Sequence, residues 1–373
     1  METKNNVPFR TDIVGSFLRP ERLKEVRLKF AQGKATSEQL KEVENEEIIK
    51  LVAAQKEVGL KSITDGEFRR SWWHLDFFWG LDGVYKVNLE QGYKFHGEET
   101  RAETARLIGK IRFGNHPFLV HFKFLKGLVG KDAVARQTIP APSQLLAELE
   151  RAENIAFTKR VYPDMDQLIS DIAKAYQDAI KSFYNLGCRN LQFDDCTWGM
   201  FCDEKYWSAR QKEGVDFNSI ANRYLELNNA ALKDHPSDMV ITTHVCRGNY
   251  HSTWASSGGY EPIANKLFAK ENVSAFYLEF DSDRSGDFSP LRFLPDDKKV
   301  VLGLVTSKSP KLENKAEIIK RLHEAARYVP LERLYLSPQC GFASTEEGNT
   351  LTEEQQWNKI KLISEIAKEV WGE

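Results

Sequence analysis

The sequence predicts an α/β protein with a (β/α)8 barrel, the TIM-barrel fold class, and long insertions after strands 2 and 4. Eight short apolar segments alternate with longer amphipathic segments, an order typical of a parallel sheet covered by helices. The chain of 373 residues has no internal repeat and no obvious linker, so we expect a single domain over residues 1–373. An open doubly wound sheet is the alternative, although the first strand lacks the G-x-G-x-x-G turn of its dinucleotide-binding form.

Each predicted strand is a short apolar run that ends in polar residues. The runs cover residues 12–16, 61–65, 133–139, 190–194, 239–246, 274–280, 299–305 and 333–337. Amphipathic spacing predicts helices around and between them. These helices cover residues 21–30, 37–59, 164–187, 218–233, 261–270, 315–328 and 352–370. Gly59 and Gly187 mark two helix ends, because glycine commonly follows the last helical turn.

Two stretches, at about 71–131 and 195–236, are too long to be simple connections. The first begins with an aromatic cluster in residues 72–79, and its segments 106–112 and 118–124 alternate like the arms of a hairpin. In a barrel, both insertions would follow the C-terminal ends of strands and lie over the face that carries active sites. We expect most of their aromatic side chains to pack the insertions onto the barrel, and a few to form a lid or a stacking surface for a flat ligand.

Composition and charge exclude several classes of function. The formal net charge of −2 gives no electrostatic basis for binding nucleic acid or an anionic membrane. No apolar run reaches the length of a membrane span, and residues 1–6 lack the apolar core of a signal peptide, so we expect a cytoplasmic protein. Five cysteines, an odd number, favour reduced thiols over a disulfide framework. The expected partners are small-molecule substrates, and a homo-oligomer is an open alternative to a monomer.

Residues with metal-binding side chains collect at the predicted strand ends. His244 and Cys246 lie two residues apart at the end of the fifth strand, so their side chains point to the same side. Glu279 ends the sixth strand, and Cys340 follows the eighth. Strand C-termini meet at the active-site face of a barrel, and nitrogen, sulfur and oxygen donors together predict a zinc site there. An isolated His-x-Cys pair, by contrast, is more often a buried cysteine beside a hydrogen-bonded histidine.

Six short motifs, in this order, resemble the catalytic C-terminal barrel of cobalamin-independent methionine synthase and its short single-domain relatives. The motifs are Val14-Gly15-Ser16-Phe17, Asp65-Gly66-Glu67-Phe68, Leu191-Gln192-Phe193-Asp194, Thr243-His244-Val245-Cys246, Leu278-Glu279 and Ser337-Pro338-Gln339-Cys340-Gly341. Each motif is weak alone, but the ordered set covers most of the chain. The resemblance implies zinc-dependent methyl transfer to the thiol of homocysteine, as in methionine biosynthesis, from a methyltetrahydrofolate-type donor.

The resemblance also implies roles for individual residues. The positions that match the family's zinc ligands are His244, Cys246, Glu279 and Cys340. The positions that match its homocysteine-binding residues are Gly15, Ser16, Glu67 and Asp194. This division is chemically consistent, because a metal ion deprotonates a coordinated thiol and two carboxylates neutralise an α-ammonium group. Taken alone, each carboxylate is better explained as a solvated loop residue or a helix N-cap.

One stretch departs from the family pattern. The family has a proton-donating histidine after the seventh strand in an Asp-x-His-Ser-Pro context, whereas this sequence has Thr306 at the Asp position and Lys308 at the His position. Lysine carries a transferable proton but is a weaker acid than imidazolium, so Lys308 is a candidate proton donor and the folate donor is in question. The alternatives are a methyltransferase with another donor, such as a methylcobamide protein, or with another thiol acceptor. A zinc hydrolase and a thiol-binding zinc protein without turnover are less favoured.

The remaining cysteines are not expected to bind the metal. Cys188 precedes a strand and therefore lies at the opposite face of a barrel. Cys196 and Cys202 lie near the active-site face, but within the second insertion, which resembles nothing in the metal site of the family. The sequence also offers room for only one barrel, whereas the full-length synthase has a second, N-terminal one.

Overall fold

The computed structural model describes residues 7–372, and its strands form a parallel sheet and a separate hairpin. The strands are β1 Ser62–Ile63, β2 Asp82–Asn88, β3 Glu103–Arg112, β4 Val134–Pro140, β5 Asn190–Asp195, β6 Val240–Val245, β7 Ala275–Glu279, β8 Lys299–Val305 and β9 Leu334–Pro338. The helices are α1 Glu21–Ala31, α2 Ser37–Glu57, α3 Leu75–Trp79, α4 Pro117–Val129, α5 Pro142–Leu149, α6 Ile155–Val161, α7 Met165–Asn185, α8 Thr197–Phe201, α9 Glu204–Lys212, α10 Phe217–Ala231, α11 Glu261–Lys270, α12 Lys315–Ala325 and α13 Glu353–Trp371.

Seven parallel strands form a curled sheet in the order β1-β4-β5-β6-β7-β8-β9. The N-terminal segment lies between the two ends of this sheet. Thr11 makes a parallel bridge with Leu336 of β9, and the backbone N–H of Phe17 donates to the carbonyl of Gly66 just after β1 (3.1 Å). This architecture is consistent with a TIM-barrel-like fold, and it brings the C-terminal ends of the strands to one face.

The predicted strands at 61–65, 133–139, 190–194, 239–246, 274–280, 299–305 and 333–337 are confirmed as β1 and β4 to β9, whereas the one at 12–16 is not. Residues 12–16 were expected to form a strand, but among the described residues the chain pairs here only through the isolated bridge at Thr11. The buried carboxylate of Asp12 accepts the backbone N–H groups of Phe9 (3.0 Å) and Ile13 (2.8 Å). Local bonds from an aspartate to nearby backbone compete with a strand ladder, which accounts for the difference.

The hairpin of the first insertion is partly different from the predicted one. Residues 106–112 do lie in a strand, β3, which pairs with β2. Residues 118–124 were expected to form the other arm, and this prediction is wrong because they belong to α4. Pro117 stands in the first turn, and the side chain of His116 caps it by accepting the backbone N–H of Phe118 (3.2 Å). The same apolar residues then face the core at helical spacing.

The predicted helices are confirmed, and several of them begin at a capping residue. Thr36 and Gln39 form a capping box at the start of α2, and Asp164 caps α7. Gly187, just beyond α7, has a positive φ of 87° that favours glycine. Within residues 7–372, no helix combines the length and the apolar character needed to cross a bilayer.

Candidate metal and substrate-binding site

Four buried metal-binding side chains converge at the C-terminal edge of the curled sheet. His244 lies in β6, Cys246 follows it, Glu279 ends β7, and Cys340 follows β9. One ligand atom from each residue lies within 4.8 Å of those of the other three, and the Sγ atoms of Cys246 and Cys340 are 3.7 Å apart. The structure therefore brings together the four residues that the sequence predicts as ligands.

The imidazole of His244 has one nitrogen held by the protein and one without a partner. Nδ1 lies 3.3 Å from the backbone carbonyl oxygen of Tyr277, so we assign the ring proton to Nδ1. Nε2 is buried and has no hydrogen-bond partner among the described residues. A buried lone pair without a partner costs free energy, and a metal ion satisfies it while a backbone carbonyl fixes the ring, as is usual for histidine ligands.

Both oxygens of Glu279 accept hydrogen bonds from nitrogen groups. Oε1 accepts from the backbone N–H of Arg247 (2.8 Å), and Oε2 accepts from the guanidinium of Arg284 (3.0 Å). Burial raises the pKa of Glu279, but the positive charges of Lys308 and Arg284 outweigh it, and the pKa lies below its usual value. An anionic carboxylate, two thiols and an imidazole are a donor set that fits zinc.

A cavity of about 510 Å³ connects this cluster with three of the four residues predicted to bind homocysteine. Its wall includes Ser16, Glu67, Asp194, His244, Cys246 and Cys340. Gly15 does not line the cavity, but a Cβ atom there would lie 2.8 Å from Cγ2 of Thr138 and 3.4 Å from Oε1 of Glu67. Glycine at this position therefore leaves room for the Glu67 carboxyl group, and the volume is that of a small-molecule site.

Glu67 and Asp194 present two buried carboxyl groups to the same cavity. Oε1 of Glu67 accepts from the hydroxyl of Thr138 (2.8 Å), whereas its Oε2 has no partner among the described residues. Asp194 accepts from the side-chain amide of Gln192 (2.9 Å). Burial and the nearby charge of Glu67 raise the pKa of Asp194 well above its usual value. Two carboxylates that repel each other in this way are suited to bind a cation between them.

Ser16 and Gly341 approach each other closely beside this carboxyl pair. A Cβ atom at Gly341 would lie only 1.9 Å from the hydroxyl oxygen of Ser16. The hydroxyl accepts the backbone N–H of Ala343 (3.3 Å), and the backbone carbonyl of Ser16 accepts that of Phe342 (2.9 Å). The backbone N–H groups of the segment after β9 thus hold Ser16 in place.

The other half of the cavity is built by the first insertion. Its lining side chains there are Trp72, Trp73, His74, Tyr93 and Phe95. The loop between β2 and β3, which carries Tyr93 and Phe95, is fixed to the segment after β6 by aromatic contacts. His96 stacks on Trp254 (ring centroids 5.0 Å apart), and Phe95 contacts Tyr250 (5.5 Å). The insertion therefore forms an aromatic wall of the cavity that also contains the carboxyl pair.

Lys308 is close enough for its charge to act on Glu279, and it does not lie in the wall of the cavity. Its Nζ is buried and has no hydrogen-bond partner among the described residues. Among the charges that lower the pKa of Glu279, that of Lys308 has the largest effect. Lys308 is absent from the residues that line the cavity in the described part of the chain. The structure thus pairs Lys308 electrostatically with a candidate ligand.

Two further residues lie close to the cluster, and the sequence predicted a ligand role for neither of them. Cys196 follows β5 and lines the cavity, and its nearby thiol together with burial raises the pKa of Cys246. Cys196 lies two residues after Asp194 and so points to the same side of the strand end, a signal that the sequence contained. Arg284 has no comparable signal, because a 3-10 turn positions it. Cys188 and Cys202 are buried elsewhere and donate to backbone carbonyls.

Comparison with known sequences gives a match over nearly the whole chain. The family model of the cobalamin-independent synthase catalytic domain matches residues 9–368. The uncharacterized protein YxjH of Bacillus subtilis is 47% identical over 371 residues, which cover 99% of this chain and 97% of YxjH. The methionine synthase of Saccharolobus solfataricus is 26% identical over 340 residues, which cover 89% of this chain and 87% of that protein.

Two solved structures are similar over almost their full length. A Listeria monocytogenes protein, described provisionally as a vitamin-B12 independent methionine synthase, superposes with a TM-score of 0.78 at 42% identity and covers 98% of this chain and 99% of its own. A B12-independent methionine synthase from a Shewanella species, solved in complex with selenomethionine, superposes with a TM-score of 0.72. At 18% identity over 97% of each chain, the second likeness concerns the fold alone.

Proposed function

Because the chain belongs to the family of cobalamin-independent synthase catalytic domains, we propose that it is a zinc-dependent methyltransferase that converts homocysteine to methionine. The observation that carries this proposal is the continuity of one cavity between a His/Cys/Glu/Cys cluster and a pair of buried carboxyl groups. A thiol amino acid has the two groups that such a cavity can bind at once. Its sulfur suits the cluster, and its α-ammonium suits the carboxyl pair.

The metal is proposed to bind through His244, Cys246, Glu279 and Cys340. The unpartnered Nε2 of His244 and the close approach of the two thiols support this assignment. Zinc held there supplies positive charge that lowers the pKa of a thiol bound to it. The protein contributes the orientation of the ligands, through the Tyr277 carbonyl on His244 and the Arg284 guanidinium on Glu279.

The amino acid end of homocysteine is proposed to bind at the other side of the strand ends. Glu67 and Asp194 bind the α-ammonium, and the segment of Gly15 and Ser16 donates hydrogen bonds to the carboxylate. The unpartnered Oε2 of Glu67 and the nearby carboxyl group of Asp194 support the binding of a cationic group here. The selenomethionine in the complex of the Shewanella protein has the same amino acid end.

The methyl donor is proposed to be a methyltetrahydrofolate-type molecule that lies against the aromatic wall. In the reaction, a bond forms between the homocysteine sulfur and the methyl carbon, the bond from the donor to that carbon breaks, and the donor keeps the electron pair and takes up a proton. Lys308 is the candidate proton donor by its sequence position, although its place beside Glu279 favours a role as a charge partner. A methylcobamide protein as the donor, or another thiol as the acceptor, is the alternative, and a cavity of about 510 Å³ favours a small donor.

We also propose that residues 1–373 form one (β/α)8 catalytic domain. The bridge at Thr11 supports closure of the sheet between β9 and β1. In this arrangement, the insertions at about 71–131 and 195–236 follow strands 2 and 4 and cover the site. Each insertion also contains an ordinary barrel helix, α4 in the first and α10 in the second.

A product assay tests the proposal. Zinc-loaded protein is incubated with homocysteine and a panel of methyl donors, including 5-methyltetrahydrofolate with one or three glutamates and a methylcobamide protein, and methionine is measured by mass spectrometry. We expect methionine with a folate donor. Methionine only with the cobamide protein would establish the alternative donor, and homocysteine binding without methionine from any donor would indicate a thiol-binding zinc protein without turnover.

A further inference from the structure

His74 stands in the aromatic wall with one ring nitrogen unused. The residue lines the cavity, is only 3% exposed, and packs against Trp73 with ring centroids 4.4 Å apart. Its side chain makes no capping bond to α3, the helix that begins after it. Nδ1 is buried and has no hydrogen-bond partner among the described residues. Phenylalanine would fill the same space, so packing alone does not explain why a histidine stands at this position.

A chain of hydrogen bonds fixes which nitrogen of His74 carries the proton. Tyr93 donates its phenolic O–H to Oε2 of Glu148 (2.9 Å), since a carboxylate can only accept. The phenolic oxygen is then left as an acceptor for Nε2 of His74, which lies 3.3 Å away. Glu148 is held in turn by the hydroxyl of Thr104 and by Arg151 (3.5 Å). The proton of His74 therefore resides on Nε2.

The ring of His74 is neutral, so this proton is the only one it carries. Burial, helped by the positive charge of Arg151, lowers the pKa of His74 to about 3. Burial and the charge of Glu148 raise the pKa of Tyr93 well above its usual value, so the phenol keeps the proton that it donates. A neutral imidazole with its proton on Nε2 has a bare lone pair on Nδ1. The aromatic wall thus contains one buried group that can only accept a hydrogen bond.

We propose that His74 is a specificity-determining residue whose Nδ1 accepts a hydrogen bond from an N–H or NH2 group on a flat heteroaromatic ring of the methyl donor. The proposal rests on the function proposed above and narrows its donor to molecules with such a ring, stacked against Trp73. A donor without an N–H group would leave the lone pair of Nδ1 buried and unsatisfied, which disfavours it. Tyr93 and Glu148 are positioning residues, because they act through the tautomer of His74.

Three variants separate this role from packing. His74→Phe keeps an aromatic ring and removes both nitrogens. His74→Asn places an amide oxygen close to the position of Nδ1. Tyr93→Phe keeps His74 but removes the hydrogen bond that fixes its tautomer. Each zinc-loaded protein is titrated with 5-methyltetrahydrofolate and, separately, with homocysteine. We expect the dissociation constant for the folate to rise about tenfold in His74→Phe, and to recover in part in His74→Asn. Homocysteine affinity and zinc content should stay unchanged.

Nitrogen-15 NMR of the imidazole gives a readout that does not depend on any ligand. The parent protein should show His74 protonated on Nε2 and bare on Nδ1 from pH 5 to 8, and Tyr93→Phe should show a mixture of tautomers. A proton on Nδ1 in the parent would overturn the proposal. Unchanged folate affinity in His74→Phe would overturn it while leaving the proposed function intact, and equal loss of folate and homocysteine affinity would reveal a structural role instead. If the parent bound homocysteine but no folate, both this inference and the folate donor would be wrong.

Discussion

The pair of carboxyl groups in the acceptor pocket gives the sharpest test of the proposed substrate. Glu67→Gln and Asp194→Asn keep the side-chain volumes and replace one carboxyl group each by an amide. Oε2 of Glu67 has no partner among the described residues, so a bound α-ammonium gains one charge-assisted hydrogen bond there. Such a bond is worth about 1.5–3 kcal/mol. At about 1.4 kcal/mol per factor of ten, each variant should bind homocysteine about 10- to 150-fold more weakly.

Calorimetric titration of the zinc-loaded proteins measures this loss. The matched control ligand is 4-mercaptobutanoate, which is homocysteine without its amino group, and it should bind about equally to the parent and to both variants. The double variant should lose less than the sum of the two single losses, because both carboxyl groups contact the same ammonium. Equal affinity of the parent for the two thiols, or homocysteine affinity unchanged in both variants, would refute a pocket that recognises an amino acid.

Three further predictions concern the metal ligands, the part of the pocket proposed to bind the carboxylate of homocysteine, and the pH dependence of stability. Cys246→Ala combined with Cys340→Ala should abolish zinc binding by elemental analysis, whereas serine at the other three cysteines should leave it intact. Gly341→Ala should destabilise the protein by about 1–3 kcal/mol and raise the KM for homocysteine, because the new Cβ overlaps a serine hydroxyl; Gly127→Ala, with open space around it, is the control in thermal unfolding. Burial and the charge of Asp195 raise the pKa of Glu271 to about 8, above an unfolded value of about 4.3, so its stabilising contribution is lost as pH rises between these values. The melting temperature of Glu271→Gln minus that of the parent should therefore increase from pH 5 to pH 8. A difference that does not change with pH would contradict this prediction.

The arrangement of the sheet could be predicted because strand periodicity and strand ends are local signals. The spacing of His244 and Cys246 fixes that both side chains leave β6 on the same side, whatever the rest of the chain does. The parallel order then brings Glu279 and Cys340 to the same edge. Residues 118–124 show the limit of this reasoning. Their alternation fits a strand as well as one face of a helix. Pro117 in the first turn and the capping side chain of His116 favour the helix α4.

The aromatic half of the site could not be predicted residue by residue, because contacts distant in sequence position it. The role of His74 depends on Tyr93 in the hairpin loop and on Glu148 in α5. Neither partner lies near His74 in the sequence, and neither belongs to a recognisable motif. Arg284 is a similar case, since its ion pair with Glu279 depends on the turn that follows β7. Strand ends can be predicted from spacing, whereas insertions need the three-dimensional fold.

The charges around Glu279 bear on the replacement of the family's histidine by Lys308. With zinc bound as proposed, two thiolates and one carboxylate would carry one negative charge more than the ion neutralises, and a thiolate acceptor would add another. Arg284, in contact with Glu279, and Lys308, close enough to lower its pKa, supply two positive charges that offset this excess. A buried anionic cluster without such compensation would be costly. Lysine keeps its charge at neutral pH more reliably than histidine does, so a charge-compensating role explains the replacement without requiring Lys308 to reach the methyl donor.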